Sequence, residues 1–309
     1  MIDILLVVAG VVLVIWGASK LTGGAVGVAE RLRVPQIVIG LTIVSIGTSA
    51  PELFVSLMSA LNDTPDMAVG NIVGSNIFNV LVIAGVSAVV CPISIGRDTV
   101  RRDLPISIVA SLVFAALCID GEIGRLDAAV LMAGFVAYMA YTVRHGMRGG
   151  AAGADAPSSP PMPLWKSALF VVAGLAALIF GGDIFVDGAS GVARSMGVSD
   201  ALIGLTIVAG GTSLPELATS VVAARKGNSD IAIGNVIGSN VFNILMILGL
   251  TGVVSPMRIG GVTAVDMGVL VLSGFLLWMF CYTKHTVSRW EGAVMAAAYG
   301  GYLFHLVTA

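Results

Sequence analysis

Two six-residue stretches carry the residues best suited to chemistry: GTSAPE at 47–52 and GTSLPE at 211–216. Each sets a glycine, two hydroxyls, a proline and a carboxylate in the middle of a long apolar run. Gly47 and Gly211 loosen a helix, and Pro51 and Pro215 remove a backbone donor. A break that frees carbonyls is therefore expected around 45–49 and 209–213. In hydrocarbon, freed carbonyls persist only where they are buried in protein or line a cavity. Ser49 with Glu52, and Ser213 with Glu216, also have the S-x-x-E spacing of a capping box, with proline in the first helical turn. Depth favours a site over a cap. A charged side chain at the bilayer centre costs about 2.5–3.5 kcal/mol on an insertion scale. No Lys or Arg lies inside these runs to pair with Glu52 or Glu216, so a cation from solution is the simplest partner.

A second pair of stretches, GNIVGSNIFN (70–79) and GNVIGSNVFN (234–243), supplies neutral oxygens. Asn71, Asn76 and Asn79 fall at spacings of five and three, and Ser75 and Asn79 lie four apart on one helical face. Ser239 and Asn243 repeat that pair. Gly70 with Gly74, and Gly234 with Gly238, form GxxxG, which allows close helix approach. The combined donor set is carboxylate, hydroxyl, amide and carbonyl oxygen, without thiolate or imidazole. Hard oxygen sites suit Ca²⁺, Na⁺ or Mg²⁺, and a flexible cage of six or more oxygens suits Ca²⁺ better than Mg²⁺. Two carboxylates balance one Ca²⁺ or two Na⁺.

The elements that must position these residues are membrane helices. Of 309 residues, 57% are hydrophobic and 11% charged, against about 25% charged in soluble domains. The mean hydropathy is +0.99. The net charge of −2 argues against a nucleic-acid binder. Cys91, Cys118 and Cys281 are scattered in apolar runs, and His145, His285 and His305 form no ligand cluster. Runs of roughly 20 apolar residues predict ten helices, near 2–19, 36–60, 67–91, 103–119, 126–144, 164–186, 200–224, 231–254, 263–282 and 290–308. The first lacks the basic flank and cleavage site of a signal peptide and reads as a retained helix. The Gly/Ala/Pro/Ser-rich stretch 145–163 reads as a linker between a first half, 1–144, and a second, 164–309.

With the N-terminus outside, the outer loops hold only Arg125, Arg194 and Arg258 of the 16 basic residues. The positive-inside rule supports that orientation, with both termini outside and the 145–163 linker cytoplasmic. A shift of 164 residues aligns IGLTIVSIGTSAPEL (39–53) with IGLTIVAGGTSLPEL (203–217), and the two GNxxGSNxFN stretches with each other. Such identities mark a duplicated unit. Five helices per half makes the second copy enter from the opposite side. The charges follow: Asp63 and Asp66 lie outside, whereas the counterpart loop carries Arg225 and Lys226. Inverted repeats with a midplane site on broken helices are a recurrent plan of secondary transporters. The fold expected is thus an all-α membrane protein of ten transmembrane helices in two inverted five-helix repeats.

These motifs resemble the α-repeats of the calcium/cation antiporter superfamily, specifically its prokaryotic sodium/calcium exchangers. The resemblance covers the whole chain in layout. It implies Glu52 and Glu216 as central carboxylates, and Thr48, Ser49, Thr212, Ser213, Ser75 and Ser239 as hydroxyl or carbonyl donors. Asn79 and Asn243 would give amides, and Ser45 and Ala209 backbone carbonyls for Na⁺. It further implies export of Ca²⁺ against three Na⁺ by alternating access, with helices 2–19 and 164–186 sliding over the rest. Ca²⁺ and Na⁺ would be substrates, with the bilayer as surroundings and no cofactor or required protein partner. Asn243 stands where potassium-dependent relatives carry Asp, which argues against K⁺ dependence. Ser49 and Ser213 stand where the cation/proton branch typically has Asn, which favours Na⁺ by analogy. A Ca²⁺/H⁺ exchanger using the same two glutamates is the alternative. An enzyme is disfavoured: no HExxH or GxSxG occurs, and a site repeated twice suits ion binding better than an asymmetric nucleophile and base.

Several residues stay outside this reading. Asp183 and Asp187 are expected at the interface, and Lys20 snorkels. Arg97, Arg101 and Arg102 form a basic cluster that could touch anionic lipid, although topology explains it equally well. Trp16, Trp165, Trp278 and Trp290 read as interface anchors. Asn62-Asp63-Thr64 matches a weak glycosylation pattern.

Overall fold

A computed structural model describes residues 2–62, 64–153, 162–198, 207 and 209–308, with backbone alone at 147–153 and 209. Among the described residues, the elements are helices and four two-residue strands, joined by short turns. The helices are α1 (Ile2–Leu32), α2 (Gln36–Thr48), α3 (Ala50–Leu61), α4 (Pro65–Val90), α5 (Thr99–Asp120) and α6 (Arg125–Gly153), then α7 (Leu164–Ser195), α8 (Ala209–Thr212), α9 (Leu214–Arg225), α10 (Ser229–Val254), α11 (Ala264–Lys284) and α12 (Arg289–Thr308). Among the described residues, seven helices are long and apolar enough to cross a bilayer. The bent pair α2–α3, which turns by 46°, makes an eighth. Leu126 and Ile119 are 84% and 85% exposed, and Phe54 and Phe180 lie open on the outside. Apolar surface on this scale has lipid as its natural solvent. The chain is a multi-pass membrane protein.

Burial ranks the helices. The most apolar window of α10 is 94% buried and that of α4 72%, whereas the other five long helices stay between 22% and 33%. The two helices carrying the GNxxGSNxFN stretches therefore form the centre, and the rest surround them.

Four small strands tie the two halves together. β1 (Ile93–Ser94) pairs antiparallel with β4 (Thr286–Val287), and β2 (Glu122–Ile123) with β3 (Met257–Arg258). Next to each pair a further bond runs between halves. The Ile95 N–H donates to the His285 carbonyl at 2.8 Å, and the Ile259 N–H to that of Gly121 at 2.8 Å.

α1 and α7 lie side by side along nearly their whole length and run antiparallel. Both are longer than expected: α1 continues past residue 19 to Leu32, and α7 past 186 to Ser195. Glycines seven apart explain their intimacy, with Gly10, Gly17 and Gly24 on α1 facing Gly174, Gly181 and Gly188 on α7. A Cβ on Gly17 would stand 2.8 Å from the Gly174 carbonyl oxygen, and one on Gly174 only 2.5 Å from the Leu21 nitrogen. Only hydrogen fits there, so backbone meets backbone. α6 likewise runs on to Gly153, beyond the expected start of the linker at 145. Residues 154–161 lie outside the described residues, as do Asp63 and residues 199–206.

Candidate functional site

The expected breaks are present. α2 ends at Thr48, and Ser49 adopts φ −81°, ψ 11° before α3 begins. Ser213 repeats this at φ −90°, ψ 8° between α8 and α9. Pro51 and Pro215 sit in the first turn that follows, where the missing N–H costs nothing. The capping-box reading fails. Neither Ser49 nor Ser213 caps its own helix. Instead each hydroxyl crosses to the other half. Ser49 donates to Glu216 Oε1 at 2.8 Å, and Ser213 donates to Glu52 Oε1 at 2.9 Å.

Both carboxylates are buried, at 1% exposure. Among the described residues each accepts from a neutral hydroxyl and has no fixed cation beside it, so the charge is stabilised by dipoles. Each leaves its second oxygen, Oε2, buried without a hydrogen-bond partner. A buried ion without a counter-charge costs several kcal/mol, so this geometry asks for a positive ligand.

The amides are held by a cross-half ring. Asn76 Nδ2 donates to the Asn240 carbonyl at 3.2 Å, and Asn240 Nδ2 to the Asn76 carbonyl at 3.3 Å. Asn79 Nδ2 donates to Asn240 Oδ1 at 3.1 Å, and Asn243 Nδ2 to Asn76 Oδ1 at 2.9 Å. Because the nitrogens of Asn79 and Asn243 are engaged, their oxygens are left over. Asn79 Oδ1 and Asn243 Oδ1 are buried without partners, and so is Ser239 Oγ. Of the buried oxygens without hydrogen-bond partners on α3, α4, α9 and α10, five thus belong to the expected donor set, and four of these form two pairs of equivalent positions. A π-helical stretch begins at Asn79 and another at Phe242, beside Asn243; single π turns often accompany functional sites.

The remaining expected donors are placed as follows. Ser75 is buried at 5% exposure on α4, one turn before Asn79. Thr48 is buried and donates to Asn235 Oδ1 at 3.0 Å. Thr212 ends α8 and is engaged in an interaction. The Ser45 carbonyl accepts the Ser49 N–H at 3.0 Å, while the Ser45 hydroxyl donates to the Thr42 carbonyl. Ala209 starts α8, and its side chain lies outside the described residues.

Sequence reasoning did not assign the supporting residues Asn71, Asn235, Ser56 and Ser220. Asn71 Nδ2 donates to the Glu52 carbonyl (3.3 Å) and to Ser56 Oγ (3.0 Å). Asn235 repeats this on the Glu216 carbonyl (3.2 Å) and Ser220 Oγ (3.0 Å). The signal for Asn71 and Asn235 was the exact repetition of every polar residue in both GNxxGSNxFN stretches, and Ser56 and Ser220 recur at the same 164-residue shift. The glycines of these stretches differ in role. Gly234 and Gly238 pack against the backbone of α2 at Gly40 and Leu41, as GxxxG predicts. Among the described residues, nothing approaches within 4 Å of a Cβ on Gly70 or Gly74.

Among the described residues, no group of three His, Cys, Asp or Glu gathers as it would around a tightly held structural metal. Two carboxylates amid neutral oxygens form a centre fit to take up and release hard cations, set between two matched halves of a membrane protein. That is the arrangement of an ion antiporter. The chain belongs to the sodium/calcium exchanger protein family, whose model matches it twice, over residues 2–144 and 166–308. It is 37% identical to the putative antiporter CaxA of Alkalimonas amylolytica, with 97% of each chain covered. It is 31% identical to the sodium/calcium exchanger MaX1 of Methanosarcina acetivorans, over 98% of this chain and 97% of that one. Among solved structures it resembles the sodium-calcium exchanger NCX_Mj with a TM-score of 0.84, at 31% identity over 97% of this chain and 96% of that one. The family is one of transporters, not enzymes. Na⁺ and Ca²⁺ are its cargo, and no cofactor is indicated.

Proposed function

We propose that this protein exports Ca²⁺ from the cell in exchange for Na⁺ by alternating access, using Glu52 and Glu216 as the central ligands. The observation that carries this reading is that five of the expected donors have buried, unpartnered oxygens: Glu52 Oε2, Glu216 Oε2, Asn79 Oδ1, Asn243 Oδ1 and Ser239 Oγ. Thr48, Ser49, Thr212, Ser213 and Ser75, with the Ser45 and Ala209 carbonyls, complete the ligand set. Two carboxylates neutralise one Ca²⁺. Exchange for three Na⁺, as the family resemblance implies, would move one net charge per cycle.

The architecture we infer is ten spans in two inverted repeats, 1–144 and 164–309. The termini lie outside and the 145–163 linker lies in the cytoplasm. The double match of one family model and the 164-residue recurrence of the site's hydrogen bonds support the duplication. The odd number of spans per repeat and the distribution of basic residues support the inversion. A plasma-membrane location fits the relative named inner membrane protein YrbG of Escherichia coli, 35% identical over 90% of this chain.

The α1–α7 pair is the proposed moving part. Leu175 of α7 lies on Gly47, 2.6 Å from where a Cβ would stand, and Val186 of α7 lies on Gly211. A slide of that pair would shift both side chains along the motif glycines they now cover. Radioactive Ca²⁺ flux into proteoliposomes, with Na⁺, K⁺ and H⁺ gradients imposed one at a time, tests the coupling. Uptake should need the Na⁺ gradient and should respond to a clamped membrane potential. Uptake driven by a pH gradient alone would make this a Ca²⁺/H⁺ exchanger. For the inversion, cysteines placed singly at positions 63 and 226 should label from opposite sides.

A further inference from the structure

Two grooves outside the ion site open towards the lipid. The first, about 400 Å³, runs between α5 and α6, lined by Ile106, Val109 and Val113 on one side and Val130, Tyr138 and Tyr141 on the other. The second, about 280 Å³, runs between α11 and α12 and is lined by Val269, Leu272, Leu276 and Tyr302. They are counterparts under the 164-residue repeat. Tyr138 corresponds to Tyr302, and the floor residue Leu245 corresponds to Leu81. Each floor leucine lies two residues beyond a site amide, Asn243 or Asn79.

The shapes match but the charges at the mouths do not. One turn beyond Ile106 on the same face of α5 stands Arg102, with Arg101 beside it. One turn beyond Tyr141 stand Arg144 and His145, the latter ring tilted by 36° against Tyr141 at 4.1 Å between centroids. All three arginines are exposed. The carboxylates at this mouth are Asp98, 3.7 Å from Arg102, and the half-buried Asp103. The second groove ends differently. Its tyrosine, Tyr302, donates to Asp266 at 2.7 Å, His305 lines the groove, and among the described residues its lining includes no Arg or Lys.

We infer that the α5–α6 groove is a binding site for an anionic phospholipid of the surrounding bilayer. One acyl chain lies along Val109 and Val113, and the phosphate is held by Arg102 and Arg144. The apolar walls match an acyl chain, and the exposed guanidiniums match a phosphate, which arginine grips in two-point fashion. The α11–α12 groove has the walls without the cations, and accepts a chain without selecting its headgroup. Near a membrane surface one basic side chain contributes about 1 kcal/mol towards an anionic lipid, or roughly fivefold. The proposal does not depend on which ions are exchanged.

Native mass spectrometry of the whole protein, titrated with phosphatidylglycerol or phosphatidylcholine, tests it. One phosphatidylglycerol should be retained at least about tenfold better than phosphatidylcholine. Arg102→Gln with Arg144→Gln should erase that preference. Val109→Trp, which fills the groove, should remove the bound lipid, whereas Leu272→Trp in the other groove should leave the preference intact. Should Val109→Trp fold poorly, the exposed arginine variants decide alone. Equal retention of both lipids, or a preference untouched by the arginine changes, overturns the proposal, as does one lost equally through Leu272→Trp.

Discussion

The buried centre and the α1–α7 pair are both made of matched helices in close contact, yet they are held together by opposite means. In the centre, directional polar bonds run from one half to the other: Ser49 to Glu216, Ser213 to Glu52, and the ring of four asparagines. Each bond fixes an atom's position, and the atoms not used are the ones free for an ion. Along α1 and α7 the contact is backbone on backbone through glycine. Such contact is close and non-directional. The difference teaches that this protein spends its geometric precision on ligand oxygens, while the outer pair needs fit without fixed points.

The sharpest way to break that comparison is at the carboxylates. Glu52→Gln or Glu216→Gln should lower Ca²⁺ flux in proteoliposomes by about 100-fold or more, the effect of removing one partner of a buried charge pair. The ion-free protein should melt no lower than the wild type, because a neutral amide is cheaper to bury. The pair should respond the other way round. Gly17→Leu or Gly174→Leu should destabilise by about 1–3 kcal/mol or more, read as a lower melting temperature, because the added carbons meet backbone. Gly23→Ala on the same helix α1 meets nothing within 4 Å and should stabilise by up to about 1 kcal/mol.

A smaller effect is expected one step away from the ligands. Asn76→Ala leaves the Asn243 amide without its acceptor and the Asn240 backbone carbonyl without its donor, at a cost of about 1–3 kcal/mol. Its Ca²⁺ KM should rise roughly tenfold with less effect on the maximal rate. An unchanged KM would mean that the asparagine ring serves packing alone. The smallest change should come from Asp66→Ala at the surface. It removes bonds from the Gly260 and Gly261 N–H groups, 2.6 and 2.8 Å long, and should cost under about 1 kcal/mol in thermal unfolding with flux unaltered.

The amino-acid sequence by itself determined the solvent, the long apolar helices and the place where they break. Composition, apolar run length and the Gly/Pro pattern are local quantities, and they report local outcomes: α2 does end at Thr48, and α9 does begin one residue after Ser213. Duplication made the chemistry legible too, because two copies of one motif show which polar residues recur. What only the tertiary structure decided was partnership. The S-x-x-E spacing pointed each serine at its own helix, and the folded chain turned it to the carboxylate of the other half. No periodicity encodes a contact between residues 161 or 167 positions apart. The same holds for the α1–α7 glycines: seven-residue spacing is visible in each helix alone, but a glycine becomes a contact only when another backbone arrives to fill the space its missing side chain leaves.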